Sequence, residues 1–209
     1  MGIRKMDAFL EPLGRATDAD PPFEIGKRLF GLQLATAGKE RLEAVDLSKG
    51  CVMIANHPRG ILDVFSTGAW FTDQTSQPVK CLANRAITRF VPTLSPYVVP
   101  VDNMGLRGQQ RRSFNREAFE AAKSFLRAGG VLGICPAGEV ASFRIRSPEG
   151  WFRLSDHPWN SSFVRLASEL ELPIVPIHVS GRNRGVYYLL RLFGRIFGRL
   201  ANFRELVAS

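Results

Sequence analysis

The sequence predicts an α/β fold, a mixed and largely parallel sheet flanked by helices. Two observations carry that expectation. From about residue 50 onward, short apolar runs of strand length alternate with longer segments of helical period. Four of those runs end in polar, glycine-bearing turns: N-H-P-R-G after the first, V-D-N-M-G after the third, P-A-G-E after the fourth and S-G-R-N-R after the fifth. In a sheet of parallel strands such turns gather on one edge and surround a single crevice.

Taken in order, residues 15–22 (R-A-T-D-A-D-P-P) form a polar break after a short N-terminal segment, residues 1–22, leaving 23–209 as one domain. The spacing of Ile25, Leu29, Leu32, Leu34 and Ala35 predicts a helix from Phe23 to about Leu42. Cys51–Ala55 is the first strand, followed by a helix over Ile61–Thr72, a strand at Val79–Ala83 and a short helix near Arg85–Phe90. Tyr97–Val101 is the third strand, and its Pro100 suits only a strand end or a sheet edge. After the basic loop Asp102–Arg112, Ser113 is placed to cap a helix carrying Phe114, Ala118, Ala121, Ala122 and Phe125, stopped by Gly129-Gly130. Val131–Cys135 is the fourth strand. The stretch from Pro136 to Asn160 shows no clear period and reads as a long functional loop. Ser161 or Ser162 then opens a helix with Phe163, Leu166, Ala167 and Leu170 on one face, and Ile174–Val179 is the fifth strand.

A hydrophobic content of 45% and a charged content of 22% describe a globular chain rather than a membrane-embedded one. The net charge of +9 and pI near 10.1 favour an acidic partner: nucleic acid, anionic lipid headgroups, or a phosphate-bearing or acidic donor. No nucleic-acid-binding signature accompanies the charge, so nucleic acid is set aside. Cys51, Cys81 and Cys135 sit in apolar runs without C-x-x-C spacing, which predicts buried free thiols and no metal site. The N-terminus lacks a signal-peptide core, and no window holds the roughly 18 apolar residues of a spanning helix. The expected location is cytoplasmic, peripheral on the inner face of the cell membrane. Residues 186–200 bear on this, because Arg191, Arg195 and Arg199 recur every fourth position among Leu, Phe and Ile. That pattern fits a helix lying on an anionic membrane surface, and equally one packed on its own core with an arginine stripe in water.

His57 is the foremost candidate for chemistry, since an imidazole titrates near neutrality and can take a proton from a hydroxyl or an amine. Asp63 follows closely enough to orient the ring and stabilise its protonated form; a satisfied structural histidine at a strand end is the competing reading. His157 and His178 read as structural, the first in a loop and the second within a strand. Gly138 allows backbone N–H groups to approach an anion, and Glu139 either orders that loop or meets a polar acceptor. Arg182 and Arg184 suit a phosphate or carboxylate, as do many surface arginines.

Together, Asn56-His57-Pro58 through Asp63, the third-strand turn, G-V-L-G-I-C-P-A-G-E-V-A-S and P-I-V-P-I-H-V-S-G-R-N resemble the four motif blocks of the glycerolipid acyltransferase superfamily. This is the group of 1-acylglycerol-3-phosphate acyltransferases, and the nearer resemblance is to its hemolysin-like, ornithine-lipid O-acyltransferase subgroup. It spans about Cys51 to Leu206. The resemblance implies acyl transfer from an acyl-CoA or acyl-acyl-carrier-protein thioester, with no resident cofactor, and a role in phospholipid biosynthesis. His57 would be the general base and Asp63 its orienter. Asn56, Arg59, Gly60, Pro136, Ala137, Gly138, Glu139 and Arg182 would line the substrate site. The chain departs from the family pattern in three places. Five residues separate His57 from Asp63, one more than is usual, and Gly60 is placed to absorb it. Pro136-Ala137-Gly138 stands where P-E-G is common, and Val101-Asp102-Asn103 lacks the arginine of the second block, although Arg107, Arg111 and Arg112 are near in sequence. A lyso-lipid with another headgroup is therefore a better expectation than glycerol 3-phosphate. The rival readings are an N-acyltransferase for a soluble amine and a non-catalytic basic lipid-binding module.

Overall fold

The computed structural model describes residues 11–103, 105–147 and 150–183. Five strands, β1 (Cys51–Ala55), β2 (Val79–Asn84), β3 (Val98–Val101), β4 (Val131–Ile134) and β7 (Ile174–Ile177), form one sheet in the order β3-β2-β4-β1-β7. Every pairing in it is parallel, in keeping with the largely parallel sheet the sequence predicts. The remaining strands, β5 (Ser142–Ser147) and β6 (Gly150–Ser155), make a separate antiparallel hairpin.

Side-chain alternation explains how one sheet serves two cores. Cys51 and Met53 of β1 join Cys81, Val98 and Val131 on one face, while Val52 and Ile54 join Val99, Leu132 and Ile134 on the other. The first face is covered by α1 (Pro22–Leu29) and α3 (Ile61–Gln74), through Phe23, Ile25, Phe65, Ala69 and Phe71. Leu13, from a short helical turn, reaches the same cluster. The second face is covered by α5 (Gly108–Arg127) and α6 (Ser162–Leu170), through Ala118, Ala122, Leu126, Leu166 and Ala167. With helices on both faces, β1 is buried at every position and reads as a continuous apolar run.

Several elements differ from their sequence-based bounds. The helix expected over 23–42 ends at Leu29, because Gly31 turns to φ +58° and the chain regains helical form only in α2 (Lys39–Glu43). Ser113 lies inside α5 instead of capping it; the helix opens at Gly108, and the Ser113 hydroxyl bonds Glu117 Oε1 at 3.2 Å. The start of α6 is held by Asn160, whose Oδ1 accepts the Ser162 N–H at 2.8 Å. The stretch read as loop contains the β5–β6 hairpin, and β7 stops before His178, which is exposed. Pro100 pairs with Ala83 on the edge strand β3, where its missing N–H costs no ladder bond. Between β2 and β3 lie α4 (Ala86–Phe90) and a short helical segment, Pro92–Tyr97. No helix among the described residues is long and apolar enough to cross a membrane. The amphipathic stretch 186–200 and Arg184 lie outside the described residues.

The α1–α3 contact is built from reciprocal phenylalanines on glycines. A Cβ on Gly26 would stand 2.4 Å from Phe65 Cδ1, and one on Gly68 would stand 2.4 Å from Phe23 Cδ1. Gly68→Ala is accordingly expected to overpack this layer and cost about 1–3 kcal/mol. Thermal unfolding of the variant checks it, and an unchanged midpoint would contradict the packing.

Candidate active site

The parallel sheet brings the ends of β1, β3, β4 and β7 to one edge, and hydrogen bonds then join their turns. Asn56, just past β1, donates Nδ2–H to the Val179 carbonyl at 2.9 Å and accepts the Val179 N–H on Oδ1 at 2.6 Å, tying the β1 turn to the β7 turn. The His57 carbonyl accepts the Ala141 N–H at 2.8 Å, which ties it to the β4 turn. Asn103, past β3, donates to the Gly138 carbonyl at 3.2 Å. The Arg59 stem crosses Gly181, whose Cβ would stand only 2.9 Å from Arg59 Cδ.

His57 and Asp63 meet because of one glycine. Gly60 adopts φ +74° and ψ −132° at the N-cap of α3, a backbone region that side chains disfavour. The extra residue is taken up in that turn, and α3 opens with Asp63 in its first turn. His57 Nδ1 then lies 3.1 Å from Asp63 Oδ2, with the carboxylate side chain 1% exposed and the imidazole 15% exposed. The Arg59 N–H donates to the same oxygen at 2.8 Å, and the α3 N-terminus adds a favourable dipole. The ring N–H of Nδ1 does not point squarely at Oδ2, and Asp63 Oδ1 has no hydrogen-bond partner among the described residues. Such bonds commonly tighten when substrate binds.

Burial alone would push the His57 pKa down. It is outweighed by the charge of Cys135, the hydrogen bond to Asp63, the hydrogen bond to Cys135 and the charge of Asp63, so the pKa rises from 6.5 to about 10. The strand register puts Cys135 at the same edge of the sheet. Ile54 pairs with Ile134, so Cys135 stands level with Ala55, on the face that α3 covers, and both line the same small cavity.

Other expected residues fall as follows. Pro136 is buried and its carbonyl accepts the Asn160 N–H at 3.0 Å. Ala137 is half-buried; Gly138, at φ +67°, and Glu139 are exposed, and a Cβ on Gly138 would meet open space. Glu139 Oε2 lies 3.8 Å from His157 Nε2, and the same ring nitrogen is 3.2 Å from the Ser142 hydroxyl. Arg182 is exposed at the end of the β7 turn. Sequence reasoning missed Asp156, which accepts the His57 backbone N–H on Oδ1 at 3.1 Å and the Trp159 indole N–H on Oδ2 at 3.0 Å. It also missed the second-block anchor. Buried Asp102 pairs with Arg85 Nε at 2.6 Å and accepts the Gly105 and Leu106 N–H groups at 2.8 and 2.9 Å. A carboxylate directly after a strand is a signal for such a loop anchor; the Asp156 contact spans 99 residues and leaves no local pattern.

A doubly covered parallel sheet with a histidine–carboxylate pair at its crevice edge defines an enzyme-like α/β domain. Residues 33–180 match the family model named Acyltransferase, and the chain belongs to that family, within the glycerolipid acyltransferase superfamily. No curated protein matches the chain.

A raised imidazole pKa links the pair to stability. Protonated His57 stabilises the fold fully below pH 6.5, and that contribution is lost as pH rises through the folded value near 10. The stability difference between wild type and His57→Gln should therefore shrink across that interval. Unfolding midpoints of the two proteins measured from pH 6.5 to 10 check the expectation.

Proposed function

We propose that this acyltransferase moves a fatty acyl group from an acyl-CoA or acyl-acyl-carrier-protein thioester to a hydroxyl of a lyso-lipid-type acceptor. His57 is the general base and Asp63 orients it. The supporting observation is the 3.1 Å pair of His57 Nδ1 and Asp63 Oδ2 at the end of β1, within the residues that match the family. Nδ1 faces the carboxylate, which leaves Nε2 to carry the lone pair that takes the acceptor's proton. The acceptor oxygen attacks the thioester carbonyl, and the imidazolium returns the proton to the departing thiolate. The exposed Gly138–Glu139 turn would meet the acceptor headgroup.

Charge supports a polyanionic donor. Arg111, Arg112, Arg116, Lys123 and Arg165 line an open groove of about 580 Å³ between α5 and α6, against only two carboxylates, Glu120 and Glu169. The phosphates of CoA or an acidic carrier protein suit it, and the net charge of +9 also favours work at an anionic membrane surface. No step in this mechanism calls for a resident cofactor. The nearer relatives in this reading are the ornithine-lipid type, whose motif forms the chain shares.

Purified protein offered palmitoyl-CoA and palmitoyl-acyl carrier protein in parallel, with mixed lyso-lipids and amines, should yield acylated lyso-lipid by mass spectrometry. His57→Ala should lower kcat about 10²–10⁴-fold. The rate should rise with pH as the imidazole loses its proton, along a limb above 6.5. Asp63→Asn should move that limb to lower pH while reducing the maximum, because a group that raises the pKa is gone. The charge of Cys135 keeps part of the shift. Turnover unaffected by His57→Ala would sink the assignment.

A further inference from the structure

Charge is unevenly spread along the groove between α5 and α6, and its distribution points to one kind of occupant. Both walls start at the edge of the sheet where the strands end. Asn115 of α5 holds the Asp102 main chain just past β3, accepting its N–H at 2.7 Å and donating to its carbonyl at 2.9 Å. The chain entering α6 is held to the turn past β4, where the Asn160 N–H meets the Pro136 carbonyl. Away from that edge Lys123 closes the groove, bridging Glu120 at 3.1 Å and Glu169 at 2.7 Å and so occupying both carboxylates. Arg111, Arg112, Arg116 and Arg165 lie on the half nearer the crevice, all exposed. None of the four forms an ion pair among the described residues. Arg112, Arg116, Phe119 and Lys123 recur at helical spacing, which puts half-buried Phe119 on the groove wall between the arginines and the lysine bridge. Its neighbours Phe114 and Phe125 carry Arg85 and Lys80 over their rings; Phe119 carries no cation among the described residues.

We propose that this groove binds the phosphorylated adenosine end of CoA, with the base against Phe119 and the phosphates on the arginines. The inference rests on the chain acting on acyl thioesters and deepens that reading by choosing CoA over a carrier protein as the donor. Guanidinium groups pair with phosphate through parallel N–H bonds, and four of them together suit a ligand with several phosphates. An aromatic ring beside them offers a base a stacking platform. A volume of about 580 Å³ exceeds what a lone phosphate fills and falls in the ~300–1,000 Å³ range of small-molecule pockets. An acidic helix laid along the groove would meet Glu120 and Glu169 in its far half, where the one lysine is already shared between them. Because α5 and α6 cover the sheet face opposite α3, the nucleotide and the His57–Asp63 pair lie on opposite sides of the strand-end edge. The pantetheine arm crosses that edge and presents the thioester to the imidazole.

The test titrates the full chain with CoA and with adenosine bisphosphate by calorimetry, and compares palmitoyl-CoA, palmitoylpantetheine and palmitoyl-acyl carrier protein as donors. Both nucleotides should bind one to one, and more weakly as salt is raised. The double variant Arg112→Gln/Arg116→Gln should weaken that binding about tenfold or more. Phe119→Leu keeps apolar bulk but removes the ring, and should weaken it about fivefold or more. Circular dichroism checks that both variants fold. In turnover, wild type should favour palmitoyl-CoA over palmitoylpantetheine through KM, and the arginine variant should erase that preference. Failure of wild type to bind either nucleotide, or binding that both variants leave unchanged, overturns the site. A variant that loses KM only for the palmitoyl-carrier protein makes the occupant an acidic protein and likewise overturns it. Nucleotide binding that the variants weaken, without product from any donor, leaves the site standing and overturns the proposed acyl transfer.

Discussion

A carboxylate buried under the first turn of α3 is the constraint on which this site depends. An ionised Asp63 with 1% side-chain exposure must replace the water it has lost. Three partners do so: the Arg59 N–H at 2.8 Å, the His57 imidazole at 3.1 Å and the N-terminal dipole of α3. Each of them fixes part of the structure. The Arg59 N–H sets the course of the Pro58–Gly60 turn, the dipole requires α3 to begin at Ile61, and the imidazole is drawn to one side of the crevice. Gly60 makes these compatible, because no side chain is comfortable at its φ of +74°, and a Cβ there would press on Val140 Cγ2 at 3.3 Å. Asp156 holds the other end of the histidine by its backbone N–H, so main chain and ring are anchored by different carboxylates.

The crevice edge is fastened by main-chain bonds more than by ion pairs. Asn56 makes two bonds to Val179, His57 bonds Ala141, Asn103 bonds Gly138 and Asn160 bonds Pro136. Such bonds survive salt and pH changes that would weaken exposed charge pairs. The arginines of the groove between α5 and α6 take no part in these bonds, which suits a groove open to an anionic substrate. The asparagines just past β1 and β3 thus serve the geometry of the turns.

The strands were legible because a parallel sheet covered on both faces must be apolar throughout, and Cys51–Ala55 and Val131–Ile134 are. The meeting of His57 and Asp63 was legible in outline, since a strand end followed by glycine and a helix leaves few paths for the chain. What escaped notice were features set by tertiary contact. A helix over 23–42 fits its apolar spacing, yet Gly31 breaks it at a left-handed φ, and spacing says nothing of φ. The β5–β6 hairpin forms by pairing across a turn, which the sequence of that stretch does not signal by any period. Cys135 read as any buried thiol, yet it follows β4 beside the end of β1 and its charge acts on the His57 imidazole.

That placement poses an electrostatic problem whose solution bears on mechanism. Burial favours a neutral imidazole, whereas Asp63 and Cys135 favour a charged one, and in the free protein the second influence wins. A strongly basic imidazole is a good proton acceptor only in the fraction of molecules where it is unprotonated. A substrate bound over the edge would expel water and strengthen both influences at once.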